Sequence, residues 1–206
     1  MVNRRIGKEN SETRQVLLSA AERLMREEGY AEVTSRKLAR YAGLKPQLVH
    51  YYFRTMDELF ETLFHQVTEK YLAAMKEVAQ HDDALVRMFQ LSCDTTSAAL
   101  HLEFLSLANH RKSMHAIIAE FAAELNRIEA GIIREAMQRQ GIETPEVTPE
   151  ELATILETVA RGLAFGSRIN AQRFQNARNV LTGWLDKFGI TYRRLSSIPR
   201  AEFHEA

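Results

Sequence analysis

The chain has 206 residues, 45% of them hydrophobic and 26% charged, and its formal net charge is zero. This balance is ordinary for a soluble globular protein. No apolar run approaches the roughly 18 residues a membrane span needs, which excludes an integral membrane protein built from helices.

The basic start Met1-Val2-Asn3-Arg4-Arg5 is followed by neither an apolar core nor a cleavage site, so it does not read as a secretory signal, and a cytoplasmic location is expected. Cys93 is the single cysteine. It has no partner for an internal disulfide and reads as a small buried apolar residue. Zero net charge by itself argues against nucleic acid, but the charge is unevenly spread. Residues 1–54 carry eleven Lys and Arg against six Glu, a net of +5, and the remainder carries −5. A basic head on an acidic body suits a chain with one nucleic-acid-facing end.

Helical periodicity dominates. Val16, Leu17, Ala20, Ala21 and Leu24 line one face of a first helix, which Asn10 or Ser11 caps and Gly29 stops. A second helix follows Thr34 and turns Leu38, Ala39 and Ala42 inward before Gly43. Pro46 sits at the favoured first position of a third, very short helix that runs to about Phe53. A long fourth helix is capped by Thr55, with Asp57 and Glu58 in its first turn and a ridge of Leu59, Phe60, Leu63, Phe64, Val67, Tyr71, Leu72 and Met75. Past a break at His81-Asp82-Asp83 come helices expected at about 83–98, 99–109, 112–140, 149–171 and 175–188. Thr148-Pro149-Glu150-Glu151 supplies a cap, a first-turn proline and an acidic first turn. No strand alternation, hairpin signal or repeat is present. The expected fold is all-α with about nine helices. The expected division is a three-helix head at 1–54, a helical body at 55–192 and a polar tail at 193–206.

Two short helices joined by Ala42-Gly43-Leu44 suit a helix-turn-helix, whose second helix enters the DNA major groove. The exposed side of that helix offers Lys45, Gln47, His50 and Tyr51, residue types that bond phosphates and base edges. An ordinary helical hairpin would show the same local pattern.

The segments Thr34-Ser35-Arg36-Lys37-Leu38-Ala39-Arg40-Tyr41-Ala42-Gly43-Leu44 and Tyr52-Phe53-Arg54-Thr55-Met56-Asp57-Glu58-Leu59-Phe60 together resemble the TetR family of repressors over about residues 11–65. The resemblance implies that Thr34, Ser35 and Arg36 offer donors to phosphates. It further implies that Lys45, Gln47 and Tyr51 face the groove and that Tyr52 touches the DNA backbone, with Leu44, Val49 and Phe53 as core. Pro46 and His50 belong to the same reading surface. The chain departs from the family at Lys45, Gln47, His50 and Met56, where Ser, Gly, Tyr and Lys are usual; Arg54 stands in for the missing lysine contact. Arg4, Arg5 and Lys8 read equally as a minor-groove arm or a solvated tail.

A head of this size buries too little surface for tight binding alone, so a homodimer reading two half-sites is expected. Leu152, Ile155, Leu156, Val159, Leu163 and Ile169 form one apolar stripe, and Val180, Leu181, Trp184, Leu185 and Phe188 another. The TetR resemblance implies that this pair packs on its twin as a four-helix bundle. Candidate effector-pocket residues are Phe64, Met88, Leu100, Phe104, Met114, Phe121 and Phe165, each of which reads as core packing too. The spacing of His101, His110 and His115 matches no metal-ligand pattern, and no cofactor is expected. Phosphate-binding, nucleophile-elbow and metalloprotease motifs are absent from the sequence, which argues against an enzyme. The sequence thus points to a double-stranded-DNA-binding repressor released by a small hydrophobic effector. The alternative is a helical ligand-binding or adaptor protein without DNA binding.

Overall fold

The computed structural model describes residues 12–142 and 147–188. Among them are nine α-helices and one short 3-10 turn. These are α1 Glu12–Glu28, the turn Tyr30–Glu32, α2 Ser35–Tyr41, α3 Pro46–Tyr52, α4 Met56–Val78, α5 Ala84–Ser92, α6 Thr95–Ala108, α7 Ser113–Arg139, α8 Pro149–Ser167 and α9 Ala171–Asp186. The expected caps Asn10 and Ser11, the arm at Arg4, Arg5 and Lys8, and the tail from 193 lie outside the described residues.

Local chemistry sets most helix boundaries. The Thr34 hydroxyl accepts from the Lys37 N–H at 3.3 Å and starts α2. At α8 the capping box is complete: Glu151 N–H donates to Thr148 Oγ1 at 3.2 Å and Thr148 N–H donates to Glu151 Oε2 at 2.7 Å. The Thr148 backbone donor is the main reason the Glu151 carboxyl titrates below its ordinary range.

Three expectations need correction. Val16 was placed on the inward face of α1, but it is 41% exposed while Leu17, Ala21 and Leu24 are fully buried. The boundary expected between helices at 83–98 and 99–109 falls at residues 93–94 instead. α5 closes at Cys93, and Asp94, a residue type favoured just ahead of a helix, directly precedes α6. The last helix begins at Ala171 rather than 175, because the Asn170 side chain accepts from the Arg173 N–H at 3.1 Å and caps it earlier.

The helices form two compact units, one of residues up to 73 with 96–123, the other of 74–95 with 124 onward. In the first, Leu17, Leu18, Leu24 and Met25 of α1 are buried together with Leu38 of α2, Val49 of α3 and Leu59, Phe60, Leu63 and Phe64 of α4. In the second, α5 packs on α8 and α9, and α8 packs on α9. The α8–α9 contact depends on a missing side chain. A Cβ on Gly166 would lie 2.2 Å from the Phe174 ring. Gly166→Ala should therefore force the ring aside, and the overpacking should outweigh the gain in helix propensity. We expect a net loss of about 1–2 kcal/mol in urea denaturation, read against a Gly162→Ala control where nothing lies within 4 Å.

Candidate nucleic-acid interface

α3 has seven residues, too few to be stable alone in water, so its shape comes from what it docks on. Its inner face is Val49, 1% exposed, followed one turn later by Phe53, also 1% exposed. The turn that delivers it is a Schellman motif. Gly43 N–H donates to Arg40 O at 3.2 Å and Leu44 N–H donates to Ala39 O at 2.8 Å. This needs φ +67° at residue 43, a left-handed conformation that glycine adopts without strain. Leu44, expected in the core, is half-buried. Lys45 is extended at φ −80°, ψ 142°, and Pro46 takes the first helical position.

The C-terminal end of α3 is held from two sides. Thr55 Oγ1 accepts from the Glu58 N–H at 3.1 Å, and Glu58 Oε2 accepts from the Arg54 N–H at 2.8 Å, which locks the bend into α4. From α1, the Arg14 guanidinium lies 4.9 Å from the Phe53 ring centroid and donates to Thr62 Oγ1 at 3.3 Å. The Thr55-Met56-Asp57-Glu58 pattern was legible as a cap, but the roles of Arg14 and Glu58 in fixing α3 were missed. Arg14 gave no local signal, since its partners are some forty residues away.

The outer face gathers the expected residues. Lys45, Pro46, Gln47, His50, Tyr51 and Arg54 are exposed, Tyr52 is half-buried, and the Tyr51 and Tyr52 rings meet edge to face at 5.0 Å. On α2, Arg36 is exposed and Ser35 half-buried, while Thr34 serves as the cap. Charge pairing sorts the cations. Lys37 bridges Glu28 and Glu32, and those hydrogen bonds raise its pKa above the ordinary lysine value and lower that of Glu32. Arg23 and Arg26 pair with Glu27 and Glu22. Among the described residues no ion pair engages Arg36, Arg40, Lys45 or Arg54. Arg40 was overlooked, although it lies one helical turn from Arg36 on the same side of α2 and is exposed. The surface is thus cationic and donor-rich, with no carboxylate neutralising its basic groups, and is suited to a polyanion.

Polar contacts tie α6 to α1 and the 3-10 turn, and the segment after α6 to α4. Glu103 Oε2 accepts from the Tyr30 N–H at 2.8 Å, Arg26 donates to Thr96 O at 2.8 Å, and Arg111 forms an ion pair with Asp57. Phe64 meets Phe104 at 4.9 Å and Phe121 at 5.7 Å between ring centroids, an aromatic cluster built by α4, α6 and α7. Leu100 and Met114 are buried in the same unit. Met88, also buried, and Phe165, half-buried, belong to the second unit. None of these seven lines either of the two grooves described, one in each unit. Among the described residues no group of three or more His, Cys, Asp and Glu could hold a metal ion.

On α8 and α9, Ile155, Val180 and Trp184 are 50–53% exposed, and Leu152, Val159, Leu181 and Phe188 are half-buried. Leu163 and Leu185 are already buried within the chain. No described helix is long and apolar enough to cross a membrane.

Two short helices set around a glycine turn, the second held by its inner face and bare of carboxylates outside, make this a helix-turn-helix protein. Residues 17–63 match the sequence profile of bacterial regulatory proteins of the tetR family. The HTH-type transcriptional regulator BetI of Rhizobium meliloti is 29% identical over 123 residues, which are 54% of this chain and 60% of that protein. An uncharacterized HTH-type transcriptional regulator of Haemophilus influenzae is 33% identical over 61 residues, 30% of this chain and 33% of that protein. The chain thus spans less than two thirds of the curated relatives it matches. Among solved structures, a TetR transcription regulator from Haloarcula marismortui superposes with a TM-score of 0.70 at 19% identity, covering 85% of this chain and 97% of that one. A protein of Saccharomonospora viridis, described as a transcriptional regulator and crystallised with choline, gives 0.74 at 19% identity, covering 85% and 96%. FadR of Bacillus subtilis, crystallised with stearoyl-CoA, gives 0.65 at 18% identity, covering 83% and 96%. At these identities the superpositions establish a shared fold.

Val49→Asp would place an uncompensated charge under the reading helix. It should destabilise the first unit by about 3 kcal/mol or more, read as early loss of helicity in thermal melts, whereas the exposed substitution Gln47→Asp should leave the melt nearly unchanged.

Proposed function

We propose that this chain is a DNA-binding transcriptional regulator, a homodimeric repressor that leaves its operator when a small hydrophobic molecule binds its helical body. One observation carries the reading. The outer face of α3 and the adjoining turn of α2 present Lys45, Gln47, His50, Tyr51, Arg36 and Arg54 with no ion pair to their side chains among the described residues, on a helix whose opposite face alone is used for folding. Lys45, Gln47 and Tyr51 are assigned to the major groove. Ser35, Arg36, Tyr52 and Arg54 are assigned to phosphates, with Thr34 fixing the start of α2 and Pro46 that of α3. The head at 1–54 reads DNA, and the body at 55–192 binds effector and dimerises.

Fluorescence anisotropy on a duplex from the chain's own upstream region tests the reading. Affinity should fall steeply with salt. Arg36→Ala should weaken binding and reduce the salt slope by about one, and Lys45→Ala or Tyr51→Ala should cost about 1–3 kcal/mol, with all three variants melting like wild type. Failure to bind any duplex at low ionic strength would overturn the assignment and favour a helical ligand-binding protein.

Dimerisation is assigned to α8 and α9, where large apolar side chains stand exposed in the single chain. Ile155, Trp184 and Val180 form the open part of the seam, with Leu152, Val159, Leu181 and Phe188 at its edges. Replacing Ile155 and Trp184 together by Glu should convert a sedimenting dimer to a monomer and lower operator affinity by at least a hundredfold. Dimers that persist would place the seam elsewhere.

The effector is assigned to the body. The structural neighbours hold ligands as unlike as choline and stearoyl-CoA, so this chain's own side chains must define its effector class. The ring cluster of Phe64, Phe104 and Phe121 supports an apolar one. α4 runs unbroken from the reading head into the second unit, so a ligand that prefers one setting of this helix lowers DNA affinity by its preference ratio.

A further inference from the structure

Glu129 lies on α7 and is 1% exposed, the one buried carboxylate side chain among the described residues. Ser92 Oγ of α5 donates to its Oε1 at 3.3 Å, and its Oε2 has no hydrogen-bond partner among the described residues. Above it on α8 stand Glu157 and Arg161, paired with each other one helical turn apart. Beside Ser92, the buried Cys93 thiol is pushed up to about 11, chiefly by burial, against the pull of Arg178 on α9. No cation within this set pairs directly with Glu129.

A buried carboxylate with one bare oxygen is expensive, and a buried carboxylic acid much less so. Burial is the larger influence here and repulsion from Glu157 the next, while the Ser92 hydroxyl and Arg161 pull the other way. Together they push the Glu129 carboxyl up to about 8. At neutral pH it is therefore an uncharged acid wedged between α5, α7 and α8.

We propose that Glu129 is a proton-operated latch of the second unit. Carrying its proton, it lets α7 pack beneath α8. Once it loses that proton, the bare charge drives α7 and α8 apart and loosens the α8–α9 pair. The link to the dimer seam rests on the seam assigned above; the latch itself does not.

The sign of the pH effect follows from linkage. Between the ordinary glutamate value of 4.5 and about 8, the folded chain holds a proton that the unfolded chain has released. Stability from this group is therefore lost as pH rises through that window, by about tenfold in the folding constant per pH unit at its steepest, and the slope flattens above about 8.

Trp184 is the sole tryptophan and lies on α9, so its fluorescence reports on the second unit during urea titrations at pH 6 to 9. Wild type should lose about tenfold in folding constant from pH 6 to 7 relative to Glu129→Gln, whose side chain keeps the shape but cannot ionise. Other titrating groups are common to both proteins and cancel. Two substitutions that leave Glu129 in place should move the profile in opposite directions. Ser92→Ala removes a bond that favours the anion and should shift the flattening to higher pH, whereas Glu157→Gln removes a like charge and should shift it lower. A purely structural role would change stability equally at every pH. Parallel profiles for wild type and E129Q would overturn the latch. Should E129Q not fold, an unshifted E157Q profile would overturn it equally. Sedimentation over the same range separates the two claims. A wild-type dimer that weakens with the latch's pH profile supports the link to the seam, and a dimer indifferent to pH beside a shifting stability profile refutes that link alone. Absence of a dimer at every pH refutes the seam assignment and leaves the latch to the urea result.

Discussion

The head depends on the burial of one short strip of apolar surface. Seven residues of α3 cannot hold a helix by themselves. Val49 and Phe53, completely withdrawn from water, supply the adhesion that isolated backbone hydrogen bonds cannot, and the Gly43 turn fixes the angle at which they arrive. Arg14 then covers the Phe53 ring while the Glu58 carboxylate holds the Arg54 N–H, so the far end of the rod is fixed as firmly as its start. An interface that reads a groove needs such rigidity, because side-chain positions half an ångström astray lose their hydrogen bonds.

Features governed by neighbours in sequence were legible before any coordinates. Thr34, Thr55, Thr148 with Glu151, Gly43 and Pro46 each act within four residues of themselves, and each helix start or turn they mark stands where expected. The all-helical fold and the exposed reading face follow from 3.6-residue periodicity, which needs no knowledge of tertiary structure. The boundary errors came where two helical patterns abut without glycine or proline. Across Ser92-Cys93-Asp94 the apolar register barely changes, so a break enforced by packing was invisible. At Asn170 a cap was present but hidden among polar residues that could as well have continued a loop.

Long-range polar chemistry was the harder part. The bond from Glu103 to the Tyr30 N–H spans 73 positions, and Glu129 meets Ser92 across 37. A glutamate in an amphipathic helix reads as solvated by default, although Glu129 stands four residues from Leu125 and from Ile133, both buried, so its register alone pointed inward. The seven large apolar candidates for an effector pocket illustrate the same limit. Sequence can say that they are large and apolar, and six of them are indeed buried. It cannot say which of them pack against one another, and two of the seven belong to a different unit from the rest.

On α3 the side chains proposed for recognition and those that hold the helix in place are separate sets. Lys45, Gln47, His50 and Tyr51 bear no part of the weight that Val49 and Phe53 support, and their departures from the family pattern have left the turn and the bend intact. The operator preference proposed for this chain could thus drift under selection while foldability stays put. The same separation makes the helix a cassette in which four outward positions can be rewritten to address a new target sequence without rebuilding the scaffold beneath.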